Sequence, residues 1–305
     1  MHLGLWANDD DLAALHLGVR MEERGHTVTR ITPGRVGADA TDLVSWVVSG
    51  ADLDACGAHL VRALPSPFVV PAPAEPAASV ARRAFEAQER VLLAHAALAA
   101  AEAHGTRVIN PCAALPFESK LYQLGAFARA SLPVPRTIVT SLPLAAERFV
   151  DALAAAGAQA LAKPLIGGAT ARLVDGAVRE RFATLSASPI IVQERIVGDD
   201  VRVTVVDGKV VSAVVIESDA IDYRDDPAYA AGRARYRVTE LPDDALTLAA
   251  RAATLCAHRV SGVDLKHARD GRYLLLEANS APRWLDIEEK TGAPITQAVM
   301  AVLAA

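Results

Sequence analysis

The stretch GVDLKHARDGRYLLLEANSAP, residues 262–282, decides the fold of this chain. Its run of leucines before Glu277 predicts a buried strand, and the turn signal Asp270–Gly271 joins that strand to a preceding one. Glu277 and Asn279 stand two residues apart, so a strand places both side chains on the same face. A hairpin through the turn then brings Asp264, on the preceding strand, beside them.

The three side chains have a chemistry in common. Two carboxylates and an amide are hard oxygen donors, which suit Mg²⁺ bound together with nucleotide phosphates. Two carboxylates at the mouth of a buried strand would also repel each other without a cation. A solvated polar cluster at the strand ends is the alternative interpretation.

The segments before this stretch are rich in β-branched residues. They predict strands at 190–194, 201–206 and 209–216, and Asp207–Gly208 is a type I′ hairpin signal between the last two. The polar segment 221–237 is expected to be an excursion from the sheet. The sequence therefore predicts a C-terminal region built on an antiparallel sheet.

The first third of the chain has a different pattern. A strand at 2–7, a helix ending near Arg24 and a strand at 26–31 predict a doubly wound α/β layer. Five prolines between 65 and 76 predict an extended connector. A long helical segment follows at 77–104.

The middle of the chain alternates between the two element types. Helices are expected at 119–130 and 147–156, and strands at 136–140, 160–164 and about 171–174. The fold class expected overall is α/β with an α+β C-terminal part. Its domains are an N-terminal α/β domain at 1–110, a small central domain at 111–189 and a C-terminal domain at 190–305.

Composition excludes several classes of protein. The chain has 305 residues and a net charge of −5, which argues against a nucleic-acid-binding surface spread over the protein. Its three cysteines show no zinc-binding or disulfide pattern. We find no signal-peptide pattern and no apolar stretch that would span a membrane. These features predict a soluble cytoplasmic protein with no membrane partner.

Lysine is rare in this sequence. Of 31 basic residues only five are lysines, and the first 119 residues contain none. Lysine and arginine are not interchangeable at a shaped site, so the few lysines become candidates for function.

Five segments occur in the order found in ATP-grasp ligases and cover about residues 108–300. They are INPCAALPFESKLYQL (109–124), SLPVPRTIVT (131–140), LAKPLIGG (161–168), VQERIVGDDVRVTVVDGKVV (192–211) and the opening stretch at 262–282. Within that superfamily the chain resembles RimK-type glutamate ligases and the related maturases that crosslink ribosomal peptides, the graspetide synthetases. The segment DAIDYR and Trp284 with the following DIEEKTGAPI look more like the second group.

The resemblance implies an ATP-grasp fold and a role for each matching residue. Mg²⁺, expected as two ions and replaceable by Mn²⁺, would be held by Asp264, Glu277 and Asn279. Arg202 would neutralise the transferring phosphoryl group, although an ion pair with a neighbouring strand is an alternative. The residues matched to ATP binding are Lys120, Lys163, Gly167, Gly168, Gln193, Glu194 and Asp200.

Substrate residues are harder to assign. Tyr223 and Arg224 lie in the polar excursion, where arginines could hold a carboxylate through paired bonds, but a solvated basic loop is equally consistent. Arg283 departs from the family pattern of a small residue at this position. It would either bind a substrate carboxylate or block one.

The implied reaction joins a carboxylate to an amine, with ADP and phosphate as products. The substrate carboxylate would first become an acyl phosphate, and the substrate would be a peptide or an amino acid. The alternatives are a peptide maturase that forms side-chain ester or amide crosslinks, a sugar or inositol phosphate kinase, and a non-catalytic nucleotide-binding module. Family analogy also suggests a homodimer.

Overall fold

The computed structural model describes residues 1–41, 46–48, 51–53, 55–165 and 170–305. These residues form four β-sheets, of which three position the site. The first is a parallel sheet in the order β2-β1-β6-β7, and a small antiparallel sheet, β3-β4-β5, lies between β2 and β6 in the chain. The elements of this region are β1 (His2–Trp6), α1 (Leu12–Glu23), β2 (Thr27–Ile31), β3 (Ala38–Thr41), β4 (Trp46–Val48), β5 (Ala51–Asp52), β6 (Ala58–Val61), α2 (Ala77–Ala103) and β7 (Arg107–Ile109).

The expected strand–helix–strand start is confirmed. Asp11 caps α1, because its side chain accepts a hydrogen bond from the Ala14 amide at 3.0 Å. Gly25, just past the helix, has a φ of 78°, the left-handed conformation in which glycine ends helices. The chain can therefore turn at once into β2, which pairs in parallel with β1.

The second sheet is antiparallel, in the order β10-β9-β11-β8. Its region contains α3 (Lys120–Arg129), β8 (Thr137–Thr140), α4 (Pro143–Ala155), β9 (Ala160–Pro164), β10 (Arg172–Leu173), α5 (Gly176–Glu180) and β11 (Ile190–Glu194). Helix α4 begins at Pro143, before the expected start at residue 147. Proline favours the first helical position, where its missing N–H costs no bond.

The third sheet has five antiparallel strands, in the order β14-β13-β12-β15-β16. The elements are β12 (Gly198–Val206), β13 (Lys209–Glu217), α6 (Pro227–Ala230), β14 (Arg235–Val238), α7 (Asp243–Leu255), β15 (Val260–Ala268), β16 (Tyr273–Asn279), α8 (Leu285–Thr291) and α9 (Ile295–Ala304). Asp207 and Gly208 both have positive φ, 50° and 75°, as the predicted type I′ hairpin requires.

Three elements of this region were missed by sequence reasoning: α6, β14 and α8. The polar excursion at 221–237 contains the start of edge strand β14, which pairs with β13 through Ile216 and Tyr236. Its side chains are mostly exposed, so the segment lacks the apolar alternation of a strand. Helix α8 begins at Leu285, where no helix was expected, and Gly292 ends it in the left-handed conformation.

The third sheet is packed on both faces. One face buries Val203 and Leu265 against Phe127 of α3 and Leu248 of α7. The other face packs through helices α8 and α9 against α1 and the first sheet, in a single apolar cluster. The N-terminal sheet is therefore fixed to the sheet that carries Asp264. The boundaries at 110 and 189 remain predictions.

A buried arginine reinforces this junction. The Arg62 guanidinium bonds both carboxylate oxygens of Asp11 at 2.7 and 3.1 Å and the Pro282 carbonyl oxygen at 3.0 Å. Its centre also lies 4.3 Å from the Trp284 ring centroid. Arg62 thus links the N-terminal sheet to the loop that follows β16. None of the described helices is both long and apolar enough to cross a membrane.

Candidate active site in the cleft between the second and third sheets

A cavity of about 620 Å³ opens between the second and third sheets. Its size lies in the range of small-molecule sites. Polar side chains dominate its chemistry, and the residues with charged or hydrogen-bonding groups that line it include Lys120, Lys163, Gln193, Glu194, Asp200, Asp222, Tyr223, Arg224, Asp264, Lys266 and Glu277.

The structure places the three expected metal ligands together. Asp264 and Glu277 are direct partners across β15 and β16, and Gly262 pairs with Asn279 two residues further along. The Asn279 amide nitrogen lies 3.4 Å from a carboxylate oxygen of Asp264 and 3.3 Å from the Gly262 carbonyl oxygen. Both carboxylates are largely buried, with side chains 12% and 20% exposed for Asp264 and Glu277.

Each carboxylate has its own cation. The Lys120 Nζ lies 2.5 Å from Glu277 Oε2, and Arg202 pairs through two nitrogens with Asp264. Burial opposes ionisation of Glu277, but Lys120 outweighs it and holds the pKa of Glu277 below its usual value. Burial raises the pKa of Asp264 against the opposing charge of Arg202. The Arg202–Asp264 pair is the strand-neighbour ion pair considered as an alternative. Asp264 lines the cleft, and Arg202 lies beside the lining, bonded to Asp264 and Tyr223.

The donor set fits a magnesium ion that shares its shell with phosphate. Among the described residues no three His, Cys, Asp or Glu side chains lie close enough to hold a metal ion by themselves. A cation beside Asp264 and Glu277 would therefore complete its shell with Asn279 and with oxygens from substrate and water. Mg²⁺ is usually held in this way, by one or two carboxylates together with phosphates.

Lys163 occupies the other side of the cavity. Its Nζ lies 2.9 Å from the Gln193 amide oxygen, and the Gln193 nitrogen donates to the Thr137 hydroxyl at 2.9 Å. Burial and the charge of Lys120 lower the pKa of Lys163. The carboxylate of Glu194, next in the strand, accepts a bond from Arg136 at 2.9 Å. Lys163, Gln193 and Glu194 are three of the residues that the family resemblance matches to ATP binding.

Asp200 has a partner that sequence reasoning missed. Lys266 Nζ lies 2.9 Å from Asp200 Oδ2 and 3.3 Å from the Gly198 carbonyl oxygen. Burial raises the pKa of Asp200, and Lys266 opposes that effect. The signal was present in the sequence, because Lys266 is one of five lysines and stands two residues after Asp264.

The excursion after β13 closes one side of the cavity. The Tyr223 hydroxyl accepts a bond from Arg202 at 2.9 Å, and Arg224 pairs with Asp222 at 2.6 Å. Asp222, which sequence reasoning did not single out, also accepts a bond from the Ala171 amide at 3.0 Å. Tyr223 and Arg224 therefore lie in the cleft, as expected of substrate residues.

Three expected residues do not join this set. Gly167 and Gly168 lie outside the described residues. Arg283 is exposed and is not part of the cavity lining. Its charge instead acts on the buried Arg62, whose pKa it helps to lower after the larger effect of burial.

Comparison with known proteins agrees with this geometry. A family model described as a RimK-like ATP-grasp domain matches residues 118–303. The chain belongs to the RimK-like ATP-grasp family. All the candidate site residues fall within the matched RimK-like region, whereas the parallel sheet precedes it.

Solved structures extend the similarity to the whole chain. The ATP-grasp ligase PsnB complexed with minimal precursor is 28% identical, with a TM-score of 0.82 and coverage of 99% of this chain and 98% of that one. PsnB with a phosphomimetic variant of minimal precursor, Mg and ADP is 30% identical, with a TM-score of 0.83 and coverage of 99% and 97%. The macrocyclase MdnC bound with precursor peptide MdnA, from Microcystis aeruginosa MRC, is 18% identical, with a TM-score of 0.81 and full coverage of both chains, and shows the fold alone. No curated protein sequence matches the chain.

Proposed function

We propose that this protein is an ATP-dependent, ADP-forming ligase that modifies a peptide by joining a side-chain carboxylate to an amine or hydroxyl of the same peptide. The observation that carries the proposal is the cleft itself, where Asp264 and Glu277 stand against Lys120 and Arg202 in a RimK-like ATP-grasp domain. Support for a peptide substrate comes from PsnB, which is similar over the whole chain and was solved with a precursor.

The reaction has two chemical steps. A substrate carboxylate oxygen attacks the γ-phosphorus of ATP, the bond to the β-phosphate oxygen breaks, and ADP leaves with an acyl phosphate remaining. The acceptor nitrogen or oxygen then attacks the acyl carbon, loses its proton, and inorganic phosphate leaves. Such transfers depend mainly on positioning and on charge stabilisation.

The residues of the cleft supply both the positioning and the charge stabilisation. Magnesium, when bound by Asp264, Glu277 and Asn279, would neutralise charge on the phosphates. Lys120 and Lys163 place compact cations for further phosphate oxygens. Arg202, held by Asp264 and Tyr223, presents a fixed guanidinium for the oxygens of the transferring group.

A second cavity suggests where the peptide enters. It has a volume of about 280 Å³ and shares Ser218 and Tyr223 with the main cleft. Arg233 and Arg235 also line it, together with Asp226 and with Glu217, which pairs with Arg235 at 3.5 Å. An acidic peptide segment there would meet arginines before its carboxylate reached Arg202.

Mass spectrometry after incubation with ATP, Mg²⁺ and acidic peptides that contain lysine, serine or threonine tests the proposal. Loss of one water per linkage within one peptide supports crosslinking. Joining of two molecules would instead indicate an intermolecular ligase, a stable phosphorylated product a kinase, and no turnover with tight nucleotide binding a non-catalytic module. The cytoplasmic location, the homodimer and the absence of nucleic-acid partners remain predictions.

A further inference from the structure

We infer that Gln123 is a positioning residue for the metal ligands, because it holds the backbone between Glu277 and Asn279. This inference rests on the proposed function and adds to it a residue that neither the sequence nor the family resemblance singled out. Gln123 contacts neither the cleft nor the carboxylates, and it acts through strand β16.

The contact is made by both ends of the side-chain amide. The Gln123 Nε2 donates to the Ala278 carbonyl oxygen at 2.8 Å, and the Gln123 Oε1 accepts from the Ala278 amide at 2.9 Å. The same nitrogen also donates to the carbonyl oxygen of Phe117, and the residue is only 5% exposed. A buried side chain therefore bonds both polar groups of one backbone residue.

Ala278 needs such a partner because of its place in the sheet. Strand β16 stands at the edge of its sheet, and β15 is its one partner among the strands of the described residues. Successive residues of an antiparallel strand direct their N–H and C=O groups to alternate sides, so those of Ala278 point away from β15. An edge residue without a partner would leave two buried polar groups unsatisfied. At Ala278, Gln123 makes the two hydrogen bonds that a neighbouring strand would otherwise make.

The position matters because Ala278 separates two expected ligands. The Ala278 side chain is fully buried in the core, so Glu277 and Asn279 direct their side chains to the opposite face, where Asp264 lies. Any shift or twist of β16 at Ala278 would change the spacing of both ligands from Asp264. Mg²⁺ demands nearly ideal octahedral geometry, so its affinity is sensitive to that spacing.

Helix α3 carries a second contact to the same strand. Lys120 lies one helical turn before Gln123, so both side chains emerge from one face of α3. Lys120 pairs with the Glu277 side chain, while Gln123 holds the neighbouring backbone. Helix α3 thereby pairs the Glu277 carboxylate with a cation and also holds the backbone of β16 in position.

The test measures ADP binding by calorimetry with Mg²⁺ and, separately, with EDTA. We use Gln123→Ala and, in case it folds poorly, Gln123→Glu, which keeps the length and an acceptor oxygen but cannot donate to Ala278. Phe127→Leu is the matched control, because it weakens the packing of the same helix without touching β16 hydrogen bonds. Thermal melts establish that each protein is folded.

We expect Mg²⁺ to strengthen ADP binding by the wild type, and this gain to fall by about tenfold in both Gln123 variants. Their affinity for ADP in EDTA should stay within about twofold of the wild type, and Phe127→Leu should keep the full gain. An unchanged gain in the Gln123 variants would overturn the inference. Equal weakening with and without Mg²⁺ would also overturn it, since the effect would then belong to Lys120 or to the fold. A wild type without any gain from Mg²⁺ would overturn the proposed function and the inference with it.

Discussion

Lys120 and Glu277 form an ion pair of 2.5 Å that joins the first turn of α3 to strand β16. Arg202 and Asp264 form a second pair across β12 and β15, and Asp264 lines the same cleft. The site therefore holds two buried carboxylates, each already matched by a cation. Mg²⁺ adds positive charge and the nucleotide phosphates add negative charge. We therefore expect them to bind together with little change in the net charge of the site.

Replacing Arg202 by lysine should separate binding from catalysis. Lysine keeps the charge but cannot bond Asp264 through two nitrogens while also reaching Tyr223. We expect kcat for ADP release to fall by about 10²–10³-fold while the affinity for MgADP changes much less. Equal kcat in the variant and the wild type would contradict a role for Arg202 in phosphoryl transfer. Arg237→Lys, at an exposed salt bridge on the edge strand, is the control.

Arg62→Met should destabilise the whole chain. The guanidinium is almost fully buried between Asp11, the Pro282 carbonyl and the Trp284 ring, so the variant leaves a carboxylate and a carbonyl without their donor. We expect a loss of about 3–5 kcal/mol in the free energy of unfolding, measured with urea. Arg20→Met, which breaks an exposed pair with Glu23, should cost less than about 1 kcal/mol. Similar losses in the two variants would contradict the role given to Arg62.

His258 should make stability depend on pH. Burial lowers the pKa of this histidine to about 4, and its Nε2 has no hydrogen-bond partner among the described residues. Above its unfolded pKa of about 6.5 both states are neutral and nothing is lost. Between about pH 6.5 and 4 the unfolded chain binds a proton that the folded one does not, so His258 costs stability as pH falls, by about 1.4 kcal/mol per unit.

His258→Gln should remove this dependence. The unfolding free energies of wild type and variant are measured at several pH values from 7.5 to about 4.5. Their difference should stay constant above pH 6.5, and below it the variant should become progressively more stable than the wild type relative to that constant value. A difference that does not change with pH would show that His258 is protonated equally in both states. His104→Gln, at the exposed end of α2, is a suitable control.

Local patterns predicted much of the fold and the grouping of the three candidate metal ligands, whereas the candidate ATP-binding residues came from the family resemblance. The spacing of Asp264, Glu277 and Asn279 followed from strand periodicity and one turn, and the structure pairs them as that periodicity requires. Strand β14 was missed because an exposed edge strand buries almost nothing and carries no apolar pattern.

Long-range partners could not be predicted in this way. Lys266 reaches Asp200 from a neighbouring strand, and Gln123 bonds Ala278 across a separation of 155 residues. The first contact depends on the pairing of β12 with β15, and the second depends on how β16 meets helix α3; no local pattern specifies either. Glutamine in a helix is also common on exposed faces, so nothing in the sequence distinguished Gln123 from a solvated residue.

The most direct test of the central claim is ADP release by Glu277→Gln, with ATP, Mg²⁺ and an acidic peptide that the wild type modifies. The substitution keeps the size of the side chain and removes only its charge, and Glu23→Gln, at an exposed carboxylate on α1 outside the cavity lining, is the control. We predict that Glu277→Gln remains folded and loses ADP release by more than about a hundredfold, while Glu23→Gln retains it. Turnover by Glu277→Gln at the wild-type rate would contradict the assignment of the metal site and the mechanism built on it.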